Sequence, residues 1–292
     1  LTNQTRVIEK ASVLLGKNLN NYQTSYNPEL LVPIERSLNR EDFGISNDDF
    51  VGFDVWQNYE CSFMTDKGFP VSLVGKIVIP CNSKFFIESK SMKLYFFSFH
   101  LERLGKTVDE ATKEFKKRVI EDISKRVQAP VRFEVFSKPS EVETFKDFRD
   151  ISELINIEEI EFNEFKESPD LMEKGNIDSY SVIIKNVRSN CRVTHQPDFA
   201  NLYVHISGNC PSLESLLKYV VSFRNEFHFH EEVTEQIYKN IQKRFNPKEL
   251  LVCNLFTRRG GIDINPIRAN KEELLDKNLV NETILTNGTI YQ

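Results

Sequence analysis

The spacing of apolar residues changes period along the chain, and each change predicts an element. From Val51 they recur at every second position: Phe53 and Val55, then Trp56, lead into Tyr59-Glu60-Cys61-Ser62-Phe63. Lys67-Gly68 supplies a turn and Val71 to Pro80 returns, which predicts a β-hairpin. At Glu88 the spacing becomes helical, with Met92, Tyr95, Phe96 and Phe99 as the stripe to be buried. A second helix is predicted from Thr107, whose hydroxyl can cap it while Glu110 reaches back. Ala111, Phe115, Val119 and Ile123 form its apolar face. Val131, Phe133 and Val135 then alternate with Arg132 and Glu134, as a strand requires.

The second half follows the same order. Strands are expected at 179–188 and 200–207, a helix from Ser212 to about Phe223, and another near His230 to Phe245. Val233, Ile237, Ile241 and Phe245 share one face of the latter, and strands at Leu250–Phe256 and Ile262–Ile267 close the half. Tyr95-Phe96-Phe97-Ser98-Phe99 also matches Tyr219-Val220-Val221-Ser222-Phe223 at an offset of 124. The predicted fold is therefore α+β, two copies of a ββααββ-like unit with helices layered on antiparallel sheet. The units are placed at 51–137 and 179–292. Residues 1–50, with Leu15-Gly16-Lys17 as their first recognisable cluster, read as an extended arm with turns after one short helix. Residues 138–178 hold 13 Asp or Glu against five Lys or Arg and read as an acidic connector. One strand is expected within it, over Ile155–Phe165, and its charge is that of a solvated surface.

Composition narrows the classes. A chain of 292 residues with 40% hydrophobic and 28% charged content is that of a soluble globular protein long enough for two cores. A formal net charge of -5, with no basic cluster, argues against direct binding of nucleic acid. The cysteines at 61, 81, 191, 210 and 253 are odd in number and form no Cys-x-x-Cys, which fits a reducing cytoplasm and offers no zinc signature. No apolar run approaches a membrane span, and Leu1 to Leu15 lacks a signal-peptide profile. Without an initiator Met, a few residues are expected to be missing from the start.

Four segments carry candidate chemistry. Ser189-Asn190-Cys191-Arg192-Val193-Thr194-His195-Gln196-Pro197-Asp198 places a thiol, an imidazole and a carboxyl together, where a strand is predicted to run into a Pro-broken loop. Most cysteines are small buried hydrophobes, but Arg188 and Arg192 nearby would favour the thiolate form of Cys191. Glu88-Ser89-Lys90-Ser91 opens a helix, where free N–H groups favour anions; an ordinary capped helix would look the same. His228-Phe229-His230-Glu231-Glu232 offers possible ligands, yet residues two apart on a helix do not share a face. Thr257-Arg258-Arg259-Gly260-Gly261 sets guanidinium groups beside a flexible turn, suited to phosphate or simply a surface hairpin. No Gly-x-Gly-x-x-Gly follows a strand, so a Rossmann site is not expected.

In chain order, Glu88-Ser89-Lys90-Ser91-Met92-Lys93-Leu94-Tyr95, Ser189 through Asp198, Phe229-His230-Glu231 and Thr257 through Pro266 resemble the NADPH-dependent 7-cyano-7-deazaguanine reductase family, the nitrile reductases of the queuosine pathway, in its long two-module form. The resemblance runs from Leu15-Gly16-Lys17 to about Arg268. It implies tunnelling-fold modules, a homodimer in the cytoplasm, a small 7-deazaguanine substrate, two NADPH per turnover and no metal. By motif, Cys191 resembles the nucleophile and Asp198 the proton donor. Ile87, Glu88, Ser89, His230 and Glu231 resemble substrate-binding positions, and Ser89, Lys90, Arg259 and Gly260 the NADPH contacts. The usual Asn-Glu-Phe-His-Glu appears as Asn225-Glu226-Phe227-His228 followed by Phe229-His230-Glu231, and the count from Ser222-Phe223-Arg224 selects the later His-Glu. Glu35 stands where the family has Pro. The alternatives are another tunnelling-fold enzyme on a pterin or purine, which would need zinc, and a non-catalytic deazaguanine binder. Bound zinc in an elemental assay would favour the first and strict NADPH dependence would exclude it, while NADPH oxidation on adding the nitrile base decides against the second.

Overall fold

The computed structural model describes residues 25–290 and 292, together with 5, 6, 8, 9 and 12; Leu15-Gly16-Lys17 lies outside the described residues. Ten strands are found among them: β1 (Pro33–Glu35), β2 (Val51–Met64), β3 (Pro70–Pro80), β4 (Phe85–Ile87), β5 (Arg132–Phe136), β6 (Arg149–Asp150), β7 (Ser179–Asn190), β8 (Pro197–Ser207), β9 (Glu249–Phe256) and β10 (Ile262–Ala269). Eight of them form one sheet in the order β5-β3-β2-β10-β9-β8-β7-β6, antiparallel except where β6 meets β7. The helices are α1 (Arg36–Arg40), α2 (Ser89–Phe97), α3 (Val108–Val127), α4 (Leu213–Val221), α5 (His230–Phe245) and α6 (Lys277–Val280). The protein is thus α+β with a mainly antiparallel sheet. None of these helices is long and apolar enough to cross a membrane.

Strand alternation sorts the core into layers. Trp56, Ile77 and Ile79 pack with Tyr95, Phe96, Phe115 and Val119 of α2 and α3. Leu202, Val204 and Val252 pack with Leu216, Tyr219, Val233 and Ile237 of α4 and α5. Their strand neighbours Val55, Val78, Tyr203, Leu251 and Cys253 join a separate cluster, closed by Phe145, Leu275 and Leu279. The offset of the sequence match reappears in three dimensions: α2 and α4 have nine residues each and begin at 89 and 213. After each helix a serine, Ser98 or Ser222, donates to the carbonyl of Tyr95 or Tyr219 at 2.6 Å.

Buried charges fasten the arm to the middle of the sheet and to α5. Arg268 of β10 reaches Asp54 of β2 and Glu235 of α5, each at 2.7 Å, Arg40 of α1 reaches Glu235 at 2.6 Å, and Arg36 pairs with Asp54. Breaking such a buried set by removing one partner typically costs about 3–5 kcal/mol, because a charge is left without compensation.

Several expectations need correction. The arm is not simply extended: β1 pairs with β4 and α1 follows it directly. No strand forms over Ile155–Phe165, where a 3-10 turn spans Ile157–Glu159. The alternation there lets Ile155, Ile157, Ile160 and Phe162 lean on the core from a loop, while the two-residue β6 already occupies the sheet edge. Glu110 accepts from the Lys106 N–H at 2.9 Å, one residue before the Thr107 cap. Pro197 does not interrupt regular structure but begins β8 opposite Asn190, a position where a missing N–H is tolerated.

Candidate active site

Cys191 is the first residue after β7, and six residues, 191–196, connect it to β8. The loop is held by two backbone bonds, Cys191 N–H to the Gln196 carbonyl (2.8 Å) and His195 N–H to the Cys191 carbonyl (2.9 Å). His195 takes a left-handed conformation (φ 59°) to close it. The other four cysteines are buried, whereas Cys191 is half-buried. The two arginines expected to flank it are engaged elsewhere. Arg188 donates to Asn190 Oδ1 at 3.1 Å. Arg192 is buried against Glu232 at 2.9 Å and also bonds Asn39, His228 and the Phe227 carbonyl. It thereby clasps the Cys191 loop to the start of α5.

Three further segments converge on this loop around a cavity of about 510 Å3. Ile87, Glu88, Ser89 and Lys90 come from the β4–α2 junction, His230 and Glu231 from the first turn of α5, and Arg259 and Gly260 from the β9–β10 turn. With Cys191 and Asp198, every site residue expected from the sequence lines this one cavity. The arm supports it from outside, since Pro33 pairs with Ile87 and the Glu88 N–H donates to the Val32 carbonyl at 3.0 Å. Also in the wall are Phe86, Lys93, Thr194, Gln196, His228 and Phe229, which were not singled out from sequence as site residues. Of these, Lys93 could have been found from the sequence, because three residues after Lys90 it shares that face of the helix.

The carboxylates occupy different settings. Asp198 lies 2.8 Å from Arg259 Nη1 and 3.5 Å from His230 Nε2, and the His230 ring stacks on Phe256 with centroids 3.8 Å apart. Glu88 caps α2, accepting from the Lys90 and Ser91 N–H groups at 2.7 Å each. Burial raises its carboxyl above the usual range, and those N–H groups oppose the rise. Glu231 and Glu232, neighbours in sequence, part company. Glu232 accepts from the Phe229 N–H at 3.0 Å and pairs with Arg192, so it belongs to the frame of the helix. Glu231 faces the cavity, is 4% exposed and keeps Oε1 without a hydrogen-bond partner. Burial, and after it the charge of Asp54, push its carboxyl up to about 8 against the pull of Arg36 and Arg268.

The rim is cationic. Lys90 and Arg259 are exposed and Lys93 half-exposed beside them. Gly260 is closely approached by Lys93: a Cβ there would stand 2.6 Å from Nζ. Lysine ammonium groups with a guanidinium fork, at a helix start and a glycine-lined turn, fit the phosphates of a dinucleotide. Among the described residues, no three His, Cys, Asp or Glu side chains gather as metal ligands.

Comparison with known proteins agrees with this chemistry. Residues 22–135 match a family described as nitrile reductase, 7-cyano-7-deazaguanine-reductase N-term, and residues 197–274 one described as QueF-like protein. Among curated relatives, a protein of Psychrobacter cryohalolentis is 36% identical over 282 residues, spanning 90% of this chain and 95% of its own. One from Desulfotalea psychrophila is 35% identical over 266 residues (90% and 94%), and one from Coxiella burnetii 35% over 252 residues (85% and 88%). All three are named NADPH-dependent 7-cyano-7-deazaguanine reductase. The class is that of the nitrile reductases. This chain belongs to the 7-cyano-7-deazaguanine reductase family.

Proposed function

We propose that the protein reduces the nitrile of 7-cyano-7-deazaguanine to the aminomethyl group of 7-aminomethyl-7-deazaguanine, for queuosine synthesis. The observation that carries this is the meeting, in one cavity, of an accessible thiol, a buried carboxyl and a second carboxylate with an open acceptor. A nitrile carbon resists direct hydride attack, and addition of Cys191 sulfur converts it to a more reducible thioimide. The S–C bond forms as one C–N π bond breaks, and Asp198 delivers a proton to the nitrogen. NADPH supplies hydride when bound, with Ser89, Lys90, Arg259 and Gly260 holding it. The first reduction ends with the C–S bond breaking to return the Cys191 thiol and leave an imine. The second gives the amine, so two NADPH and two protons are consumed. Ile87, Glu88, Ser89 and His230 complete the base pocket around Glu231, which accepts the ring N–H and the exocyclic amine together.

Mixing the protein with the nitrile base in the absence of NADPH is expected to give a covalent adduct of the mass of one base. An unmodified mass after prolonged incubation would refute the reading.

Base recognition gives a second test. Glu231→Gln turns one acceptor into a donor facing a donor, a mismatch worth about 1–3 kcal/mol, or roughly five- to a hundredfold in affinity. Glu232→Gln is expected to lower the melting temperature through its pair with Arg192 and to leave base affinity intact. The two donors of the base engage the Glu231 anion, and burial pushes the free carboxyl up to about 8. Wild-type affinity should therefore climb as pH rises toward that value and then level off, by at most about tenfold per unit. Calorimetry with the nitrile base checks both; a loss carried by Glu232→Gln would place the base elsewhere.

The same reading takes the fold as two tunnelling-fold modules, 51–137 and 179–292, joined by 138–178, preceded by the arm 1–50 and acting as a cytoplasmic homodimer without nucleic acid. The shared offset of α2 and α4 supports the duplication.

A further inference from the structure

The cation expected to meet the dinucleotide already has a partner. Arg259 Nη1 lies 2.8 Å from Asp198 Oδ1, and Nη2 donates to the Pro197 carbonyl at 2.6 Å. One guanidinium thus connects the phosphate-facing rim to the carboxyl that faces the nitrile. Its two ends differ in freedom. The Asp198 side chain is 6% exposed and is carried by β8, paired with Ser189. The Arg259 side chain is 44% exposed and precedes Gly260-Gly261, both in the left-handed region (φ 57° and 79°). Movement therefore belongs to the arginine. Lys90 and Lys93, the other cations of the rim, have no carboxylate partner among the described residues, so an arriving phosphate disturbs no ion pair there except that of Arg259.

We infer that Arg259 is exchanged between Asp198 and a phosphate of the incoming dinucleotide, so that cofactor arrival frees the carboxylate left after adduct formation to take up its next proton. This rests on the reduction proposed above. His230 stays 3.5 Å from the other oxygen of Asp198, so the carboxyl keeps a partner when the guanidinium leaves. Two anions competing for one cation are thermodynamically linked, and each weakens the hold of the other. The sign is unusual for a residue of the reaction centre: removing the charge of Asp198 should strengthen dinucleotide binding.

The probe is NADP+, which carries the phosphates but no hydride, titrated calorimetrically into intact wild type, Asp198→Asn, Arg259→Met and the double variant. Asp198→Asn is expected to bind it tighter by roughly fivefold or more. Arg259→Met should bind it more weakly, and adding Asp198→Asn to Arg259→Met should change nothing further. Unchanged or weaker binding by Asp198→Asn would overturn the exchange. Tightening that persists in the double variant would overturn it too, by assigning the effect to direct charge repulsion. If wild type neither binds NADP+ nor forms the base adduct, the reduction itself is wrong and the exchange falls with it. A wild type that does both, without the Asp198 effect, removes the exchange alone.

Discussion

Cys191→Ala is expected to abolish both the covalent adduct and NADPH-dependent reduction while base affinity stays near that of wild type. In the proposed reaction the sulfur forms the bond that makes the nitrile reducible, and no neighbouring group can replace it: Ser189, Thr194 and Ser89 are far weaker nucleophiles than a thiolate. Base binding should survive because Glu231 and the walls contributed by Ile87 and Phe229 are untouched. Burial raises the thiols of Cys61, Cys81, Cys210 and Cys253, which removes them as nucleophiles. Intact mass after incubation with base, followed by a calorimetric titration, checks the two halves of the prediction. Retained turnover in Cys191→Ala, or its loss in Cys81→Ala or Cys210→Ala, would move the nucleophile elsewhere.

Asp198→Asn should slow adduct formation by about 10²–10⁴-fold, the usual worth of one general acid. The amide matches the carboxyl in size; its oxygen can keep Arg259 while its NH2 donates to His230 Nε2 in the other tautomer, so the hairpin should keep its shape. What it cannot do is deliver a proton to the nitrile nitrogen as sulfur adds to carbon. Rapid mixing of enzyme in excess over base, at several pH values, isolates that step from cofactor binding and product release. A variant with wild-type rates across the pH range would remove Asp198 from the chemistry and leave it a positioning role.

Much of this site was legible because its chemistry is concentrated in short segments. Cys191 and Asp198 are seven residues apart on one hairpin, and Glu88, Ser89 and Lys90 are consecutive. The strands and helices were legible where apolar spacing has one period and one burial face, as in Ala111, Phe115, Val119 and Ile123. Over 155–165 the same alternation served loop packing, and a pattern of apolar residues does not say whether a partner strand is present. Arg192 misled for a different reason. Proximity in sequence to Cys191 suggested a charge beside the thiol, but its guanidinium is claimed by Glu232, forty residues on. The Arg259–Asp198 pair was equally hidden, since each residue was assigned a separate task and only the folded chain makes them neighbours.

The place of β10 in the sheet has a consequence for how the protein is made. It lies between β2 and β9, so that Asn58 waits for Ile262 before its strand gains its second neighbour. At roughly 5–20 residues per second, the ribosome leaves β2 with an open edge for about 10–40 s, although β5 joins the far side of β3 within that time. That edge carries Phe53, Val55 and Trp56, a stretch able to pair with other nascent chains. Yield of folded protein should thus depend on translation speed and chaperone supply during that interval, more than on the stability of the finished molecule.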